Sequence, residues 1–159
     1  MERLIITHFW IVFIAVTLAN AFILRFRSGE HIRKNPQLKE GYDILFRGFI
    51  LYGNLPWVIM GIGNMTGATK SILDFLYPGL LNPIVLMFHA SVVLLWILLA
   101  RWIYFRGGAE MLEQYPGMIN GNPSAQLIKL LVLIMLLAGI AGMIMMWITS
   151  GGILPPDIH

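Results

Sequence analysis

Residues 130–148 read LLVLIMLLAGIAGMIMMWI, and no polar residue stands between Lys129 and Thr149. About 20 apolar residues, each rising 1.5 Å, cross the roughly 30 Å hydrocarbon core of a bilayer as one helix. The stretch therefore predicts a membrane span over 126–149, opened by Asn122-Pro123-Ser124 and closed by Gly151, Gly152 and the Pro155-Pro156 pair. Three further runs of the same kind precede it. The first covers 4–25 and meets Arg25 and Arg27. The second covers 44–66. The third covers 83–105, where Asn82 followed by Pro83 supplies an N-cap and a first-turn proline. Lipid offers no hydrogen bonds to backbone, and the connections are short. The expectation is an all-α membrane protein, a four-transmembrane-helix up-down bundle, with 1–159 forming a single transmembrane domain.

Composition agrees. The chain is 58% hydrophobic and 12% charged, with mean hydropathy +0.76, whereas a soluble domain carries about a quarter charged residues. Cysteine is absent, which excludes disulfides, iron–sulfur clusters, thiolate metal sites and covalently attached c-type haem. The pI near 9.5 does not point to nucleic acid, because the basic residues lie between apolar runs. There they report topology and anionic headgroups. The expected partners are the lipid bilayer and other membrane-protein subunits.

Arg25, Arg27, Arg33, Lys34, Lys39, Arg47, Arg101, Arg106 and Lys129 fall at one set of span ends, and only Arg3 and Lys70 at the other. The positive-inside rule then places both termini on the non-cytoplasmic side, in a bacterial inner membrane or an equivalent energy-transducing membrane. Ala19-Asn20-Ala21 has the form of a signal-peptidase site. The apolar run continues to Leu24 and then meets basic residues, a stop-transfer pattern, so the first span is read as uncleaved.

Ionisable residues within spans are functional candidates. They are His8 in the first span, His89 in the third and Arg47 near the entrance of the second; no Asp or Glu lies in any span. His8 shares a helical face with Ala15 and Ala19, and His89 shares one with Asn82 and Trp96. Both histidines lie roughly 7–10 Å below the same boundary. They are a candidate axial pair for haem b, or for copper with Met60, Met65, Met87, Met143, Met145 or Met146. The alternative is interhelical hydrogen bonding or contact with headgroups.

The second span also carries Gly53, Asn54, Pro56, Gly61, Gly63 and Asn64. Pro56 removes a backbone donor and frees the carbonyl near Tyr52. Arg47, Asn54 and Asn64 form a candidate polar pocket beside the kink; packing glue is the alternative. The order Arg47, Asn54, Pro56 resembles the second helix of the membrane-associated eicosanoid and glutathione metabolism family, although the spacing differs and the glutamate of that series is missing. The resemblance implies a four-helix bundle with non-cytoplasmic termini and a glutathione-type transferase site near Arg47 and Asn54.

In the fourth span Ala138 and Gly142 make a small-xxx-small pair suited to helix packing, with Gly139 beside it. Gly108 to Tyr115 reads as a short interfacial helix. No catalytic signature is complete. The leading expectation is a small integral membrane protein acting as a non-catalytic or accessory subunit of a larger membrane assembly, in the direction of electron transfer. The alternatives are a b-type haem or copper protein using His8 and His89, and the transferase.

Overall fold

A computed structural model describes residues 2–150, with side chains from His8 onward. The described residues contain helices and turns and no strand. Five α-helices run Glu2–Lys34 (α1), Lys39–Met65 (α2), Pro83–Phe105 (α3), Gly108–Gln114 (α4) and Ala125–Ser150 (α5). Short 3₁₀ turns occupy Pro36–Leu38, Ile72–Leu76 and Pro78–Leu80. Four of these helices, all but α4, are long and apolar enough to cross a membrane, as a small integral membrane protein requires.

The third and fourth spans fall where their apolar runs place them. Asn82 caps α3, its Oδ1 accepting from the Ile84 backbone N–H at 3.0 Å, and its Nδ2 donates to Ala68 O at 2.7 Å. Gly108–Gln114 is the short helix expected between the last two spans. The expected stop of α5 at Gly151, Gly152 and Pro155-Pro156 lies outside the described residues. The first two helices outrun their apolar stretches. Arg25 and Arg27 end the apolar run of α1 but not its helix, because Arg, Lys and Glu are good helix formers. Glu30 and Lys34 pair one turn apart at 2.6 Å, as do Lys39 and Asp43 at 2.8 Å. The polar connection between the spans thus shrinks to the turn around Asn35–Leu38, where Asn35 Oδ1 accepts from the Gln37 amide.

Neighbouring spans run antiparallel. Along the α1–α2 seam Gly61 lies under the Trp10 ring and Gly53 under Thr17. Along α2–α3, Trp57 meets Phe88, and Met60 packs with Val85 and Phe75. Gly63 lies against Ile84. On the α3–α5 side, Trp96 covers Gly139, and His89 faces Trp147. Backbones approach where glycine removes a side chain, the usual device when lipid makes apolar contact no special driving force. Ile103, Ala109 and Ile128 form a second buried cluster toward the basic end, and many other large apolar side chains point outward, among them Phe22, Ile97, Leu131 and Ile148.

Polar contacts fasten the two ends. At the basic end, Tyr42 is fully buried and donates to Pro116 O at 2.7 Å, and Arg27 donates to Asn120 Oδ1 at 2.5 Å. Gly41 lets the Tyr115 ring lie directly on α2, and Gly117 (φ 85°) passes against the Arg27 backbone. The α1–α2 turn and the α3–α5 connection are therefore interlocked. At the far end, Ser71 and Asp74 form a capping box, and the Gly79 amide donates to Ser150 Oγ at 2.9 Å.

Candidate functional site

The residues singled out from the sequence are spread over three places. His89 is buried, with 4% of its surface exposed. Its Nδ1 lies 2.9 Å from Val85 O one turn back. A carbonyl only accepts, so Nδ1 carries the proton in this contact. The ring packs edge-on between Phe88 and Trp147, at centroid distances of 5.5 and 6.4 Å. His8 is exposed on α1, at a break in the helix with φ −105° and ψ 15°. The helix that carries it packs against α2, whereas His89 looks toward α5. Of the candidate methionines, Met60 is enclosed by Phe75 and Val85, Met143 lines a groove, and Met65, Met87 and Met145 are exposed. No group of three or more His, Asp or Glu side chains able to hold a metal gathers among the described residues.

Arg47, Asn54 and Asn64 are strung along α2 over about 25 Å of helix rise. Arg47 borders a polar hollow at the basic end. Asn54 lies seven residues deeper and donates through Nδ2 to Ile50 O at 2.7 Å. Its Oδ1 is buried without a hydrogen-bond partner, and so is Trp10 Nε1 on the α1–α2 seam. Each such orphan costs about 1–3 kcal/mol. Asn64 belongs to the far end, where its Oδ1 accepts from Thr69 Oγ1 at 2.6 Å.

Two arrangements were not anticipated. The first is an aromatic row that crosses the bundle at one level. Phe9 meets Phe13 at 5.0 Å, Phe13 stacks on Trp57 at 3.8 Å and 6°, and Trp57 meets Phe88 at 6.1 Å. His89 and Trp147 then carry the row to α5. Such pairs contribute about 0.5–1.5 kcal/mol each beyond their burial. The row thus holds the four spanning helices in register where hydrogen bonds are scarce. Matching the depths of the aromatics along each span was the signal that would have revealed it.

The second is an apolar groove of about 480 Å³ between α3 and α5, lined chiefly by Val93, Trp96, Ile140, Met143, Ile144 and Trp147. It exists because α5 is held mainly at its ends. At the far end Ser150 takes the Gly79 amide. At the basic end Tyr104 OH donates to Lys129 O at 2.6 Å, and Lys129 Nζ pairs with Glu110 of α4 at 2.6 Å. The Lys129 ammonium pulls the Glu110 carboxyl below its ordinary range. Between the clasps the contact nearest mid-span is Trp96 against Gly139. Gly142, expected to pack together with Ala138, has no atom beyond its own chain neighbours and local helix backbone within 4 Å of where a Cβ would stand, and Ala138 is exposed. Within one chain, the small-residue contact is made at Gly139, on the neighbouring side of the helix.

No protein-family model, no curated protein and no solved structure matches the chain.

Proposed function

We propose that this protein is a non-catalytic accessory subunit of a larger membrane assembly, and that α5 is its partner-facing helix. The observation that carries this reading is the condition of α5. It is clasped at both ends, stands off α3 along an apolar groove, and turns Ala138 and Gly142 away from its own chain. A smooth small-xxx-small side is what a second helix needs for close approach in lipid, where shape and dispersion replace the hydrophobic effect. The intramembrane polar groups support the same reading. His89 Nδ1 and Asn54 Nδ2 are bonded to their own helices, as befits framework residues.

We place both termini on the non-cytoplasmic side of a bacterial inner membrane or an equivalent energy-transducing membrane. The support is the crowding of Arg and Lys at the end where α1 meets α2 and α3 meets α5. Cysteines introduced at Ser124 and Lys70 should react with an impermeant reagent from opposite sides of sealed cells.

The test of the accessory reading is native mass measurement after mild extraction from the source membrane. A complex heavier than the 18.0 kDa chain that is lost in Gly142→Leu supports it. A lone chain in both forms, with no change in assembly, overturns it.

A further inference from the structure

The hollow at the elbow between α1 and α2 has a volume of about 550 Å³ and is walled by Pro36, Gln37, Lys39, Glu40, Asp43 and Arg47, with Ile44 at its apolar edge. Its charges are arranged in order. Asp43 is already taken: Lys39 Nζ holds one carboxylate oxygen at 2.8 Å, and Arg25 Nη1 of α1 holds the other at 3.5 Å. Arg47 feels the Asp43 charge, but two nearer cations share it. Among the described residues, neither Arg47 nor Glu40 has a salt-bridge or side-chain hydrogen-bond partner, and both are exposed. They lie seven residues apart, which puts them on one face of α2, separated by about 10 Å of rise that their side chains shorten. The cation is the deeper of the two, since the apolar run begins at Ile44; the anion is nearer water.

That order matches one class of membrane lipid. In a zwitterionic phospholipid the phosphate lies toward the hydrocarbon and the amine toward water. We propose that this hollow binds the headgroup of an ethanolamine-type phospholipid, the phosphate on Arg47 and the primary ammonium on Glu40. The guanidinium offers a planar fork of donors for phosphate oxygens. A primary ammonium donates hydrogen bonds to a carboxylate, which a quaternary choline group cannot do. An anionic headgroup without an amine leaves Glu40 unanswered and is repelled by it. The acyl chains then run up the exposed flank of α2 past Phe49, Ile50 and Leu51.

The test is lipid retention by the full-length protein in a mild non-ionic detergent, read by native mass spectrometry. Ethanolamine, choline and glycerol phospholipids with identical acyl chains are offered separately. The ethanolamine lipid should be retained best. Arg47→Gln and Glu40→Gln should each reduce its retention about fivefold, the factor for roughly one interfacial charge contact. Arg33→Gln and Glu113→Gln, which remove charges outside the hollow, should leave it unchanged. If Arg47→Gln fails to fold, Glu40→Gln alone carries the test, because Glu40 is an exposed first-turn residue. Better retention of the glycerol lipid, raised further by Glu40→Gln, overturns the proposal in favour of a plain anionic headgroup. Equal retention of all three lipids, or equal loss in the control variants, overturns it in favour of diffuse surface attraction. Displacement of the lipid by an equal concentration of soluble phosphoethanolamine overturns the lipid as the source of the chemistry.

Discussion

Gly139 and Gly142 stand three residues apart on α5, yet the structure assigns them opposite sensitivities. A Cβ on Gly139 would lie 2.6 Å from Trp96 Cζ2 and 2.9 Å from Cη2, about 1 Å inside ordinary carbon–carbon contact. Trp96 borders the open groove and can swing by that amount. For Gly139→Ala the overlap is therefore offset by the roughly 1 kcal/mol that alanine gains over glycine in a helix, and the net effect is near zero. Leucine cannot be absorbed so simply: Gly139→Leu should overpack the seam and cost about 1–3 kcal/mol. At about 3 °C per kcal/mol for a chain of this size, the melt should fall by about 3–9 °C. Gly142→Leu meets nothing within 4 Å, and the monomer should melt within about 0.5 kcal/mol of wild type. The assay is thermal unfolding of monodisperse protein in detergent, followed by near-UV signal or fluorescence, since tryptophans line the seam. Equal losses for the two variants, or a loss confined to Gly142→Leu, would refute the packing described for α5.

Tyr42→Phe strips the donor from Pro116 O in a fully buried site and should destabilise the basic end by about 1–3 kcal/mol in the same melt. Asn54→Leu removes a buried oxygen that has no partner and should be neutral or stabilising; a clear loss would mean that this oxygen meets a ligand or partner. Glu110 titrates below its ordinary range because Lys129 holds it. Its stabilising contribution is present above the unfolded carboxylate pKa and is lost as pH falls through the lower folded value. Acid should therefore loosen the α4–α5 clasp slightly, and Glu110→Gln should abolish that component of the pH dependence. A framework role for His89 predicts no b-type spectrum after dithionite reduction; a reduced b-type band that vanishes in both His8→Ala and His89→Ala would establish the haem reading instead.

Hydropathy made the spans legible because lipid sets a length and a polarity that few alternatives satisfy. The third span starts at Pro83 and ends at Phe105 as read, since Asn82 is a cap by chemistry as well as by position. Hydropathy could not show where α1 and α2 end. Arg, Lys and Glu leave the bilayer but not the helix, and their i,i+4 pairs extend both helices almost to Asn35. Rotation about the helix axis is what hydropathy leaves least determined. In α5 nearly every residue is apolar, so the sequence carries little periodic signal to distinguish Gly139 from Gly142. The face is decided by Trp96, which belongs to another helix. The candidate pocket on α2 shows the same limit: Arg47, Asn54 and Asn64 look like one series in sequence, but at 1.5 Å per residue they occupy different depths.

The division of labour in this fold bears directly on how it could join a larger assembly. Specific polar contacts are concentrated at the two ends: Tyr42 with Pro116 and Lys129 with Glu110 at one, Gly79 with Ser150 at the other. Across the hydrocarbon, α1, α2 and α3 are joined by aromatic stacking and glycine seams, whereas α5 meets α3 through the Ile103–Ile128 cluster near the basic end, Trp96 on Gly139 and Trp147 beside His89. A partner helix arriving on the Ala138 and Gly142 side of α5 would displace only lipid. No hydrogen bond need break, and the clasped ends would keep α5 at its depth. The ordering entropy that usually opposes association is thus partly met in the free protein, which is what preorganisation contributes to affinity. It follows that loosening a clasp should weaken assembly more than it weakens the fold. Lys129→Gln, which releases Glu110 at a partly exposed site, separates the two effects. The monomer melt should barely move, while the native-mass population of the assembled form should fall. Unchanged assembly in Lys129→Gln, alongside loss in Gly142→Leu, would mean that the partner itself orders α5 and that the clasps serve the fold alone.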